Sequence, residues 1–572
     1  MDQKSDGVIL AESTAGGGEN LAAAAQKLTE VADDIRSSLK EMTRLLQSMT
    51  QEAGRLAPQP ERGEAPGAGV GAAPGIQVNH WEDDPFSEAV PTTDPPLAIP
   101  VATDLPTNDH ALLQTEVVGG GPAPAIYAPD TDGFRFWAAS EAIARGINFW
   151  APLLPNGTRW TTVAAPMQVT LVAGEDLNAN YSRISGLRFY KKSVRGRTFF
   201  SGESPDVVCH ELGHAILDAI RPELFDAANI ETAAFHESFG DMSAILSGLQ
   251  LPGLRQQVLD ETEGQLNVNS RLSRLAEQLG WAIRQLSPTA VDPDSLRNAA
   301  SRFFYQDPTE LPPIAPSNQL SSEAHFFSRV FTGGFFDALA RMLKVAGEPT
   351  SDTLLSVSAE MGQILVDGVL TASLSTDYFS QVAAAMIQAD QARNNGKYRV
   401  ALSSSFVERG ILSPDAAASL SRAPTPQVTR VPDNRDDWLL AFGGQISDGY
   451  RRTAKDAPVL PTYAVNTSFG LTIRVHAPDE DQRFNLTPAM FAAPRPANRS
   501  PKDHARSFVE DLIQLGRIDL ETAKGLLPKE LFPAGHRAAG RSTHRLEQTD
   551  DGQAVLKRVL FDCGLGRCRH RR

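Results

Sequence analysis

The chain is poor in cysteine, with only Cys209, Cys563 and Cys568 among 572 residues. Three thiols cannot make a disulfide scaffold, so apolar packing has to hold the fold. Cys209 reads as a small packing residue, and Cys563 and Cys568 could pair. No window approaches 18 uninterrupted apolar residues, so no membrane span is predicted. The polar residues 1–20 lack the apolar core of a secretory signal. The expected location is therefore cytoplasmic, or outside the cell by export without a classical signal peptide. No basic stripe or aromatic–basic interleaving is present, so nucleic acid is not an expected partner. The net charge of −15 is diffuse and reads as solubility.

What is present is ordinary globular composition, 41% hydrophobic and 22% charged, on a chain long enough for a large core. Residues 1–20 read as disordered. From 21 to 56 apolar residues recur at 3–4 spacing (Leu21, Ala24, Leu28, Val31, Ile35, Met42, Leu45, Met49) with Ser38 as a polar break. This pattern is a coiled-coil-like helix, either docking a protein partner or packing on its own chain. Residues 57–126 are rich in Pro, Gly and Ala and read as linker.

Helical periodicity covers 134–149, and Met167–Ala173 reads as a strand. The segment 184–200 reads as paired strands. Ser204 as N-cap and Pro205 at the first helical position then predict a helix to about Ile220. Further helices are predicted over about 231–247, 254–287, 325–346, 351–371 and 376–393. The expectation is a strand-rich part over 127–222 that ends in the helix from Pro205, and a helical part over 223–412. Residues 413–572 read as a small, separate α+β accessory domain, with strands in 459–475 and 543–560 and a helix from Pro501. The last residues, 567–572, are a short basic tail. The fold class is α+β.

The chemistry concentrates at His210-Glu211-Leu212-Gly213-His214. Two histidines four apart share a helical face and can reach one metal ion, with Glu211 placed to act on a water beside it. A catalytic zinc needs a third protein ligand. The next predicted helix offers Glu237 and Asp241, also four apart on one face, 23 residues after His214. Glu237 would complete the ligand set, and Asp241 would accept the free N–H of a ligand histidine. His236 competes for the third place, but sits about 100° round the helix from Glu237.

Together these motifs resemble the thermolysin-like, glutamate-ligand zinc metallopeptidases. The resemblance covers roughly 127–412 and implies a two-lobe fold, one Zn2+, and hydrolysis of a peptide or protein substrate with Glu211 as general base. It also implies roles for other positions. Asn178 and Ala179 would hold the substrate backbone on an edge strand. Arg297, within Ser295-Leu296-Arg297, would bind a substrate carbonyl. His325 would stabilise the oxyanion. Several positions depart from the family pattern: Phe225 stands where a tyrosine is expected, Gly240 replaces a serine, and His236 and Phe327 each stand where an asparagine is expected. The family's acidic Ca2+ cluster is represented only by Asp206, whose partners are not evident. The competing expectation is a non-catalytic adapter or an exported effector on the same scaffold, acting through the helix at 21–56 and the C-terminal domain.

Overall fold

The computed structural model describes residues 76–87, 98–422, 460–468, 470, 472–478, 499–519, 542–549 and 552–564. All belong to the second of two compact units, Gly75–Arg572, the first being Met1–Pro74. The expected helix at 21–56, the segment 1–20 and the basic tail lie outside the described residues.

The folded unit begins inside the span expected as linker. Strand β1 (Gln77–His80) pairs antiparallel with β2 (Val101–Asp104), and Val78, Trp81, Phe86 and Leu113 are buried. Trp81 meets Phe134 edge-on at 5.1 Å between ring centroids. These apolar residues are isolated among Pro, Gly and polar neighbours, so no periodicity marks them, yet each fills a place in the core.

Strand β3 (Thr115–Val117) leads to α1 (Asp132–Trp150), followed by β4 (Met167–Thr170), β5 (Ala179–Ser182), β6 (Gly186–Phe189), β7 (Lys191–Val194) and β8 (Arg197–Phe200). Helix α2 (Pro205–Ile220) starts as its sequence predicts, with Ser204 capping Val207 N–H and Pro205 in the first turn. A short α3 (Glu223–Asp226) turns the chain into α4 (Ile230–Gly248), capped by Asn229.

The helix expected over 254–287 is two helices, α5 (Pro252–Thr262) and α6 (Glu277–Leu286), with β9 (Arg274–Leu275) between them. Left-handed φ values at Glu263 and Gly264, 50° and 74°, end α5, because an α-helix cannot continue through that region. Strand β10 (Arg297–Asn298) pairs with β9. Helices α7 (Ala324–Ala346), α8 (Ser351–Thr371), α9 (Tyr378–Asn394), α10 (Arg399–Glu408) and α11 (Pro414–Arg422) follow. Among the described residues α8 is the one helix long and apolar enough to cross a membrane; 67% of its apolar window is buried within the protein.

The last region is α+β, as its sequence suggests. It comprises β11 (Thr462–Asn466), β12 (Thr472–His476), α12 (Pro501–Leu515), β13 (Ile518–Asp519), β14 (His544–Gln548), β15 (Ala554–Arg558) and β16 (Phe561–Asp562). Five strands form one sheet in the order β11-β12-β15-β14-β13. Strand β16 leaves that sheet. It pairs with β5, so the second five-stranded sheet runs β16-β5-β6-β4-β3. The region expected to be separate is therefore hydrogen-bonded into the sheet beside the metal motif.

Candidate metal centre and substrate groove

Helices α2 and α4 pack through small residues. A Cβ at Gly213 would stand 3.0 Å from the Gly240 Cα, and one at Gly240 would stand 2.6 Å from two atoms of the His210 ring. Gly240 therefore leaves the space His210 occupies, which explains a small residue at the position where the resemblance implies serine.

This packing brings together the three predicted ligands. His210, His214 and Glu237 place one donor atom each within 4.8 Å of one another. Glu237 Oε2 is 3.3 Å from His210 Nε2 and 3.7 Å from His214 Nε2. All three atoms are buried and make no hydrogen bond. Unpartnered buried polar atoms are costly, and a shared cation would serve the two imidazole nitrogens together with a carboxylate oxygen whose other neighbour is His325 Nε2 at 3.3 Å.

The other faces of the rings are engaged. His210 Nδ1 is 3.0 Å from Asp241 Oδ1. Arg297 grips Asp241 with Nε and Nη2, at 2.7 Å for the shortest contact. Burial opposes ionisation of Asp241, but Arg297 and His210 outweigh it and hold the carboxyl well below its usual range. Arg297 thus reaches the centre but binds Asp241 rather than facing outward as a carbonyl ligand. His236, the competing ligand, lies with Nδ1 3.1 Å from His214 Nδ1. Its position off the Glu237 face makes it a support for His214. Burial, then the neighbouring positive groups, pushes both His214 and His236 well below the usual histidine range, so both are neutral, as a metal-binding imidazole must be.

Glu211 is fully buried and neither oxygen closes a hydrogen bond of normal geometry. Burial, then Glu237 and Asp562, raises its carboxyl well above the usual value. His325 enters from the first turn of α7. Its helix is capped by Glu323, whose carboxylate accepts from the His325 and Phe326 amides and also faces His325 Nδ1 at 2.7 Å. His325 Nε2 then lies 3.3 Å from Glu237 Oε2. Burial resists protonation of His325, but Glu237 and Glu323 prevail and lift it to about 9. Phe225 is buried, with its ring edge-on to His236 at 6.2 Å.

Ala179 opens β5 with Asn178 just before it, and both are buried; β5 is not a free edge. Phe561 and Asp562 pair antiparallel with Tyr181 and Asn180. The Cys563 amide donates to Ala179 O at 3.0 Å, and the Gly564 amide donates to Asn178 Oδ1 at 2.6 Å. His325 Nε2 sits 2.5 Å from the Asp562 carbonyl oxygen. Cys563 is a buried free thiol rather than half of a disulfide, with its sulfur within 4.8 Å of donor atoms of His210 and Glu211. Cys568 lies outside the described residues. Cys209 is buried packing as expected, its thiol pushed up to about 11, chiefly by burial.

A second carboxylate cluster lies one turn up α2. Asp83, Asp206 and Glu277 bring oxygens within 4.8 Å of one another, and Asp84 stands beside them, taking the Gln278 amide at 2.8 Å. Asp83 Oδ2, Asp84 Oδ2 and Glu277 Oε2 are buried without partners. Burial raises Asp83 to about 7 and Asp84 to about 6. Asp206 therefore does have acidic neighbours. Sequence reasoning missed them because Asp83 and Asp84 fall in the span read as linker. The run Asp83-Asp84 followed by buried Phe86 was the available signal.

Protein-family models give no match to this chain, and no curated protein sequence matches it significantly.

Proposed function

We propose that this chain is a zinc-dependent endopeptidase of the thermolysin-like kind, with His210, His214 and Glu237 holding one zinc. The observation that carries the reading is the convergence of three buried, unpartnered donor atoms whose rings are fixed from behind by Asp241 and His236. Two neutral imidazoles and a carboxylate are a donor set that suits zinc with a position left open. When bound, zinc lowers the pKa of a water and polarises a carbonyl.

The chain's own residues supply the rest. Glu211 acts as a carboxylate once a cation offsets the Glu237 charge and Asp562 is away, two of the influences that raise its carboxyl; it then takes the proton of the water that adds to the scissile carbonyl carbon. It then passes that proton to the leaving amine as the C–N bond breaks. His325, oriented by the Glu323 carboxylate at its Nδ1, donates from Nε2 toward the oxygen that gains charge. Asn178 and Ala179 bind an extended substrate backbone as an added strand. Arg297 acts through Asp241, keeping it charged and His210 oriented. We assign the Asp83, Asp84, Asp206 and Glu277 cluster to a divalent cation with oxygen preference, such as Ca2+.

The test is hydrolysis of casein by concentrated zinc-loaded chain over long incubation. Activity should disappear with chelator and in Glu211→Gln. Hydrolysis that continues unchanged in Glu211→Gln would contradict the assignment.

A further inference from the structure

The groove that should take a substrate strand already holds one, from the chain's own C-terminal region. We propose that residues 561–564 are a built-in occupant of the substrate groove that keeps the full chain latent. This inference rests on the peptidase reading given above.

The fit is that of a bound peptide and not of a passing loop. The backbone is antiparallel to β5, with the Cys563 and Gly564 amides engaged by Ala179 and Asn178. These are the two residues expected to hold substrate. The Asp562 carbonyl lies against His325 Nε2 at 2.5 Å, so the Asp562–Cys563 peptide is the one presented to the metal centre. Side chains lock the register. Asp562 Oδ2 accepts from Asn178 at 3.2 Å and from Arg517 at 3.0 Å. Phe561 stacks on His236 at 4.0 Å and on His214 at 4.8 Å between ring centroids, with the Arg558 guanidinium 4.1 Å from its own centroid. Phe561, Asp562 and Cys563 are each at most 2% exposed. An external peptide cannot share that space, so it has to wait for the strand to leave. The strand also covers the unpaired backbone groups that an edge at β5 would present.

Release of the strand should raise apparent substrate affinity, because only the open fraction of molecules is competent. The experiment compares full-length zinc-loaded wild type with Phe561→Ala/Asp562→Ala, and with Arg517→Gln, which removes the 3.0 Å ion pair to Asp562 and a longer one, 3.8 Å, to Glu323. Three quantities are read: zinc content, hydrogen exchange and alkylation at 561–564, and casein hydrolysis. Wild type should be protected at the 562–564 amides and at the Cys563 thiol. The variants should lose that protection, keep their zinc and cleave casein at least about tenfold faster, as expected when a minor open state becomes dominant.

Equal protection and equal rates in all three proteins would overturn the proposal. So would a clean cut between Asp562 and Cys563 in zinc-loaded wild type, which would make the strand a substrate. Absence of zinc from every protein would instead sink the peptidase reading, and the exchange data would still decide whether the strand occupies the groove.

Discussion

One wall of the candidate metal centre comes from the packed helices α2 and α4, whose proposed ligands sit at helical spacing within residues 204–241. The facing wall comes from Asp562 and Cys563, and Asp562 bonds a residue 384 positions earlier in the chain. The first wall is rigid by construction, with buried helices in contact through Gly213 and Gly240 and every ligand ring fixed from behind. The second is a two-residue strand held by hydrogen bonds, one ion pair with Arg517 and ring stacking. The chemistry we propose sits on the rigid wall. The element that would have to move sits on the other wall, and its departure would give up the buried packing of Phe561 and Cys563.

The sharpest break of this comparison is on the rigid wall. Glu211→Gln should lower peptide hydrolysis by about 10²–10⁴, the usual range for loss of a general base, while zinc content and strand protection stay at wild-type levels. Next, Asp241→Asn should weaken zinc binding by about 10–100-fold, since it unfixes the His210 ring; titration against a zinc chelator of known affinity reads it. Gly240→Ala should act in the same direction, because its new Cβ would stand 2.6 Å from the His210 ring. The same substitution away from the ring, at exposed Gly157, should leave zinc affinity unchanged.

A smaller effect tests the carboxylate cluster. The folded-state pKa of Asp83 is raised to about 7 and that of Asp84 to about 6, above their ordinary value of 3.8. In that window the folded protein holds more protons than the unfolded chain, so stability falls as pH rises. In chelator, the thermal midpoint should drop between about pH 4 and pH 7 on this account. Added calcium should remove the drop by neutralising the same oxygens. A midpoint with the same pH slope with and without calcium would contradict a cation there.

The rigid wall was legible because helix geometry ties spacing to face. His210, His214, Glu237 and Asp241 are each four residues from a partner, and the structure brings all four together. The start of α2 was legible for the same local reason, through Ser204 and Pro205. The facing wall was not. Phe561-Asp562-Cys563-Gly564 carries no periodicity and no turn signal that points to β5, and pairing across hundreds of residues leaves no local mark. Cys563 looked like half of a disulfide because its neighbour in sequence is Cys568, whereas its neighbours in space are His210, Glu211 and Arg297. Asp83 and Asp84 were hidden in the same way, by the Pro- and Gly-rich composition around them. The direction of Arg297 was also out of reach, because the identity of an arginine does not say which carboxylate it meets.

The central claim is that one zinc is held by two histidines of α2 and by Glu237 of α4. The most direct measurement is zinc per chain by elemental mass spectrometry on full-length wild type and Glu237→Ala, both dialysed against the same trace zinc. The account predicts about one zinc in wild type, as a three-ligand site requires, and loss of it in Glu237→Ala. Unchanged zinc in Glu237→Ala would contradict it.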